Sequence, residues 1–327
     1  MEVPRVSILI TEDVWGEPLR ELGERWQVTH APELWSDRSA ILREAAKVQA
    51  LVVRNRTQVD AELIRACPHL RIVARAGVGL DNIDVPAADA AGVVVTAPRG
   101  ANARSVAEHT LGLALALARR TVERDRDVRA GGWNRTPGRE LWGGTWGLLG
   151  AGATARECAR LARALGMQVI AYDPYVDPSS PAMAEAGIRI APLAEVVASA
   201  DVISCHLPAT PETHAFVGEE LLAQMAIGTL LINVGRGEIV DEEALADALE
   251  AGRLGGAALD VRITEPPTPG RLERLPNTIL TPHVAGITRE SQRLILEVLA
   301  ADLDAVLSGN EARSMVGEVR RGRLGTR

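Results

Sequence analysis

Lysine is almost absent from this chain. Lys47 is the only one in 327 residues, and aromatic residues make up only 3%, with a single phenylalanine. Both scarcities read as codon bias of the genome rather than as function. Cysteine is rare too. Cys67, Cys158 and Cys205 are far apart, odd in number and without CxxC spacing, which excludes a metal framework and suits a reducing cytoplasm. The first thirteen residues, MEVPRVSILITED, hold an apolar run too short for a leader or a membrane span, so neither export nor anchoring is expected. The chain has no excess of positive charge. Its net charge of -7 argues against a nucleic-acid partner, and any anionic ligand must be held by local arginines.

What is present is ordinary for a folded protein: 46% apolar and 24% charged residues, at a length that suits two domains. Short β-branched runs alternate with helical patterns throughout, from RVSILIT and QALVVRN to GAALDVR and NTILTPH. That alternation is the mark of α/β domains with parallel strands. The expected fold is two doubly wound parallel-sheet domains, a flavodoxin-like substrate domain and a Rossmann NAD-binding domain, with the active-site cleft between them. The helical pattern over 101–120 has the length of an inter-domain helix, and a buried core helix is the alternative. A second helix over 287–309 follows the last strand and is free to return to the first domain. The expected substrate domain is therefore discontinuous, 1–100 plus 287–327, around a nucleotide domain at 101–286. The tail from Glu311 has no periodicity and reads as a mobile, solvated end.

The strongest local pattern is WGLLGAGATARECARLARALGMQVIAYDP, residues 146–174. Gly150, Gly152 and Ala155 form a GxGxxA turn between a strand and a helix. The first glycine allows the tight turn, the second admits a pyrophosphate to the backbone, and the small third residue allows close packing of helix on strand. The next strand ends at Asp173, where a carboxylate would hydrogen-bond an adenosine ribose and repel a 2'-phosphate. No arginine follows in PYVDPSSP, so NAD is expected rather than NADP.

Three further strand ends carry chemistry. Arg236 sits between Gly235 and Gly237, an arrangement read as exposing a guanidinium suited to a carboxylate and letting backbone approach a ligand. Glu265 precedes Pro266 and Pro267, and His283 follows Pro282. In doubly wound sheets ligands bind at the carboxyl ends of the strands, so the three fall where a substrate would lie.

The chain resembles the D-isomer-specific 2-hydroxyacid dehydrogenase family, most closely the catalytic portion of its phosphoglycerate dehydrogenase branch. The resemblance runs over roughly residues 50–305, through RAGVGLDNIDV, NARSVAEHTLGLALALAR, CHLPATPET, NVGRGEIVDEEAL, GAALDVRITEPP and TPHVAG. It implies a catalytic set of Arg236, Glu265 and His283. It also implies that Gly150, Gly152, Ala153 and Thr154 meet the pyrophosphate of NAD, that Leu207 and Pro208 flank the adenine, and that Val234, Gly235 and Asp260 lie at the nicotinamide side. Val78 and Gly79 would give N–H groups to a substrate carboxylate, and Arg54, Arg56 and Arg75 would meet a phosphate. A homodimer built on the nucleotide domain and involving residues 128–144 is implied as well, and no metal.

On that reading His283 supplies the proton, because histidine titrates near neutrality and a neighbouring carboxylate favours its charged form. Two positions depart from the family. Ala153-Thr154 stands where Arg-Ile is usual, and Arg262 stands where an aromatic residue is usual, read as a plain surface arginine or as an extra cation near the cleft. No regulatory domain is expected after residue 310, and a glyoxylate or hydroxypyruvate reductase is the enzymatic alternative. An NAD-sensing corepressor-like binding protein is the alternative from another class.

Overall fold

The structure, a computed structural model, describes residues 7–320. Two compact units emerge: one takes the chain up to Asn102 together with the residues from Thr288 onward, the other runs from Ala103 to Ile287.

The strands of the first unit are β1 (Ser7–Ile10), β2 (Gln27–His30), β3 (Ala50–Val53), β4 (Ile72–Arg75) and β5 (Val94–Thr96). They pair in parallel in the order β5-β4-β3-β1-β2, the flavodoxin-like order. Period-2 alternation sorts their side chains to two faces. Leu9, Leu51, Val53, Val73 and Val95 enter one core layer. Ile8, Ile10, Val52, Ile72 and Val94 enter the other, where they meet Ile295, Leu299 and Leu303. Those three lie at i, i+4 and i+8 on the helix Arg289–Leu307, which begins at a Thr288–Ser291 capping box.

The second unit holds β6 (Thr145–Leu149), β7 (Gln168–Tyr172), β8 (Arg189–Ile190), β9 (Val202–Cys205), β10 (Leu230–Asn233), β11 (Gly256–Leu259) and β12 (Thr278–Leu280). All seven are parallel, in the order β12-β11-β10-β9-β6-β7-β8. This is the dinucleotide-binding strand order extended by a seventh strand, and its order reverses between β6 and β9. The pattern expected as one helix over 101–120 is the helix Ala103–Ala118, followed after a left-handed Arg120 by a second helix, Thr121–Arg129. Its apolar face is spent inside this unit, where Ala107, Leu113, Ala114 and Leu117 join the core beside Trp146 and the helix Ala153–Ala164. The three thiols are free and buried. Burial pushes Cys67 up to about 11, and Cys158 and Cys205 to about 12.

The first sheet is mixed, contrary to the all-parallel expectation, and the tail is the cause. Met315–Val316 forms β13, antiparallel to β5 at the sheet edge. Two carboxylates hold the tail. Asp302, buried on the C-terminal helix, accepts from the N–H groups of Arg313 (2.8 Å) and Ser314. Asp89 accepts from those of Glu318 and Val319. These bonds leave no local period in the sequence; the arginines at 321, 323 and 327 lie outside the described residues. Asp302→Asn should cost roughly 1–3 kcal/mol in a denaturant melt, because it mismatches a buried acceptor. Amide exchange at 315–316 should speed up, and unchanged exchange there would show that β13 holds without Asp302.

Candidate active site

Strand β6 leads directly into Gly150, whose φ of +94° is left-handed and suits glycine. A side chain there would meet the His206 carbonyl oxygen at 3.1 Å, so the turn and the loop after β9 approach closely at the point where the strand order reverses. Gly152 is the N-cap of the helix Ala153–Ala164 and has no side-chain cap. A Cβ placed on Gly152 would meet nothing within 4 Å. Uncapped N–H groups under open space are the donor set a pyrophosphate requires, so the residues present fit a dinucleotide.

Asp173, just after β7, binds this turn directly. Its Oδ2 accepts from Ala151 N–H (2.9 Å) and its Oδ1 from Tyr175 N–H (3.0 Å). Leu207 and Pro208 follow β9, with Leu207 Cδ2 beside Gly150, and Val234 follows β10. A buried chain supports the floor: Trp146 Nε1–H donates to Ser204 Oγ (2.8 Å), and that hydroxyl lies 2.9 Å from His206 Nε2. Burial pushes the His206 ring down to about 4, so it is neutral at pH 7.

On the far side of the sheet, His283 Nδ1–H donates to Glu265 Oε2 at 2.7 Å, with both side chains about half exposed. Two residues 18 positions apart thus form a carboxylate–imidazole pair that leaves Nε2 as the other ring nitrogen. Asp260 controls where the histidine sits. It is buried, and its Oδ1 accepts from Thr281 Oγ (2.5 Å) and Val284 N–H (2.9 Å) while Oδ2 accepts from Ala285 N–H (2.8 Å). Its own carbonyl accepts from His283 N–H (2.7 Å), and His283 takes a left-handed φ of 54°, a conformation in which histidine is enriched among non-glycine residues. His109 Nε2 lies 3.2 Å from the Thr281 hydroxyl and 3.6 Å from Asp260. Sequence reading missed His109 and Thr281, and it gave Asp260 only a ligand-side role. The two threonines of TILTPH and the histidine of AEHT carry no spacing that reveals their meeting.

Arg236 follows β10 and donates from Nη1 to the Gly235 carbonyl (2.8 Å), while Asn233 fixes the turn by donating to Arg236 O and accepting from Gly235 N–H. The flanking glycines also face the chain itself. A Cβ on Gly235 would meet Leu207 O at 2.9 Å, and one on Gly237 would fall inside the backbone of Arg262 and Ile263. They admit the chain's own backbone. Arg262 is likewise no surface residue. Its side chain is 9% exposed and pairs with Glu242 (2.7 Å) and Glu273 (2.5 Å), and hydrogen bonding to Glu242 first, then Glu273, raises its pKa against the opposing effect of burial. The Arg262 N–H also donates to Glu265 Oε1 at 3.1 Å, so this buried cluster supports the backbone on which Glu265 stands.

The first unit carries Arg54 and Arg56 on the loop after β3, Arg75 as the last residue of β4, and Val78 and Gly79 on the loop after it. The N–H groups of Val78 and Gly79 donate to nothing among the described residues, and neither does the Arg54 guanidinium. The Arg56 guanidinium lies over the Trp35 ring at 4.4 Å. The Arg75 guanidinium fills the space a side chain on Gly77 would need. One residue absent from the sequence reading organises this loop. Glu12, 3% exposed, accepts from the N–H groups of Arg54 (2.7 Å), Asn55 (3.2 Å), Arg56 (3.0 Å) and Thr57 (3.0 Å). Burial works to raise its carboxyl pKa, but the N–H groups of Thr57, Arg54 and Arg56 together hold it below the ordinary carboxylate value. Among the described residues no group of three or more acidic, histidine or cysteine side chains is placed to hold a metal, and no helix is long and apolar enough to cross a membrane.

A dinucleotide-type turn and an imidazole–carboxylate pair on one parallel sheet define an oxidoreductase-like nucleotide domain, and comparison with known proteins agrees. Residues 111–285 match the family described as D-isomer specific 2-hydroxyacid dehydrogenase, NAD binding domain. The chain is 42% identical over 282 residues to D-3-phosphoglycerate dehydrogenase of Archaeoglobus fulgidus, covering 85% of this chain and 53% of that protein. It is 43% identical to (S)-sulfolactate dehydrogenase of Chromohalobacter salexigens, covering 88% and 94%. The solved structure of the TT0316 protein of Thermus thermophilus superposes with a TM-score of 0.87 at 35% identity, over 95% of this chain and 100% of that one. The chain belongs to the D-isomer-specific 2-hydroxyacid dehydrogenase family. It spans about half the length of the phosphoglycerate dehydrogenases it matches.

Gly237→Ala should destabilise the second unit by roughly 1–3 kcal/mol or more, since backbone rather than a flexible side chain occupies the space. A denaturation midpoint equal to wild type would show that the 262–263 backbone moves aside freely.

Proposed function

We propose that the protein is an NAD-dependent oxidoreductase that interconverts a D-2-hydroxy acid and a 2-oxo acid. The observation that carries this reading is the 2.7 Å contact between His283 and Glu265, on the sheet that also bears the uncapped turn at Gly152. NAD, when bound, supplies the hydride acceptor, or in the reduced form the hydride donor. In the reductive direction His283 Nε2–H gives its proton to the C2 carbonyl oxygen, and in the oxidative direction Nε2 takes the hydroxyl proton. Glu265 fixes the ring through Nδ1 and stabilises the imidazolium. Arg236 orients the substrate carboxylate and polarises the carbonyl. Asp173 is the residue for the adenosine ribose, with Ala153 and Thr154 offering N–H groups to the pyrophosphate.

The substrate we propose carries a second anionic group, as 3-phosphoglycerate does. Two of the relatives are named for acids with a phosphate or a sulfonate at C3. The guanidinium of Arg54, without an ion pair among the described residues and beside Arg56, supports that class, and Val78 and Gly79 are donors for the carboxylate. Free buried thiols support a reducing, cytoplasmic setting. We also propose a homodimer built on the second unit, because Trp133 (79%), Trp142 (75%) and Val128 (53%) leave large apolar surfaces exposed on one segment.

His283→Ala should lose roughly 100-fold or more in turnover while NADH binding, followed by fluorescence, stays near wild type. Near-normal turnover would remove His283 from the chemistry. Steady-state rates with 3-phosphoglycerate, sulfolactate, glycerate, lactate, glycolate and glyoxylate test the substrate class. Higher kcat/KM for the two doubly anionic acids is expected, whereas a preference for glyoxylate would make the protein a reductase of uncharged-tail acids. No turnover of any of them would favour an NAD-sensing binding protein. Light scattering should give a dimer for the wild type and a monomer for Trp133→Ser/Trp142→Ser; a dimer in both would place the interface elsewhere.

A further inference from the structure

In the first sheet the strand order reverses between β1 and β3, and their carboxyl ends form the crevice where open α/β sheets take their ligands. The loop after β3 offers that crevice four consecutive N–H groups, from Arg54 to Thr57, all turned toward one point. Such a run of donors is an anion site. Here the anion belongs to the chain itself. Glu12, two residues past the end of β1, puts one carboxylate oxygen on Arg54 and Thr57 and the other on Asn55 and Arg56.

The arrangement is locked from the sides. Thr11 Oγ lies 2.8 Å from Thr57 Oγ, and Asn82 Nδ2–H donates to the Thr57 carbonyl at 2.7 Å. Val59 N–H in turn donates to the Asn82 carbonyl at 2.8 Å, which joins the loop to the segment that follows Val78 and Gly79. With its N–H groups satisfied from within, the loop has only side chains left to offer a ligand. Those side chains include Arg54, without an ion pair among the described residues, and Arg56, braced on Trp35.

We propose that Glu12 is a positioning residue for substrate selection: its carboxylate acts as a built-in anion that folds the 54–57 loop around itself and so aims the Arg54 and Arg56 side chains at the second anionic group of the substrate. The inference rests on the substrate class proposed above. Glu12 touches no substrate, and its effect is felt as binding of the anionic tail rather than as the chemical step.

Glu12→Ala and Glu12→Gln are compared with wild type on 3-phosphoglycerate and on glyoxylate, with thermal melts and NADH titration on the same samples. KM for 3-phosphoglycerate should rise roughly tenfold or more, while kcat for glyoxylate and NADH affinity stay within about twofold. Formate, a free carboxylate that fits the emptied space, should restore KM in Glu12→Ala and have no effect on Glu12→Gln, where the amide fills it. Glu12→Asp keeps the charge with a shorter reach, folds more readily and should give a smaller rise in KM. An unchanged KM for 3-phosphoglycerate in any folded variant, or an equal loss on both substrates, overturns the proposal. Failure of the substrate reading looks different: wild type itself would then show no preference for the doubly anionic acid, and Arg54→Ala would leave KM unchanged.

Discussion

A buried carboxylate placed just beyond a strand end is the interaction on which the rest of the site depends. Asp260 shows it most fully. A loop leaving a parallel strand has backbone N–H groups with no ladder partner, and burying them unpaired would cost about 1–3 kcal/mol each. Asp260 accepts from two such groups and from a threonine hydroxyl, while its carbonyl takes the His283 N–H. The histidine is thereby held in a left-handed conformation with its ring against Glu265.

Carboxylates that gather backbone N–H groups recur around the molecule, after strands and on helices alike. Asp173 holds the glycine turn through Ala151, and Glu12 gathers four N–H groups of the 54–57 loop. Asp302 and Asp89 fasten the tail. Loops at the carboxyl ends of strands are free to vary in sequence yet must be rigid to position ligands, and an internal carboxylate reconciles these demands without a longer element. Arg262 is the complementary case: a buried cation paired with Glu242 and Glu273 that steadies the backbone beneath Glu265.

The α/β alternation and the GxGxxA turn were legible because each is local: β-branched runs in the strands, glycine where a turn needs it, a carboxylate one strand later. His283 and Glu265 were legible as strand-end residues, and their partnership came from the family resemblance. Gly235 and Gly237 were legible as positions of close approach, and the structure adds that the chain's own backbone is what crowds them, a contact that sequence does not show. Arg262 was misread because its two glutamates lie 20 residues before it and 11 after it. The strand Met315–Val316 was missed because two residues carry no period, and the bonds that hold it come from Asp302 and Asp89.

By itself the sequence determined which residues could be strand, helix or turn and which side chains carried chemistry, because propensity, periodicity and residue type act over a few neighbours. Only the tertiary structure decided which carboxylate serves which loop. Glu12 with Arg54–Thr57, Asp260 with Ala285 and Asp302 with Ser314 are pairings across 12 to 45 positions. A hydrogen bond is fixed by distance and angle in space, and neither is written in the order of residues along a chain.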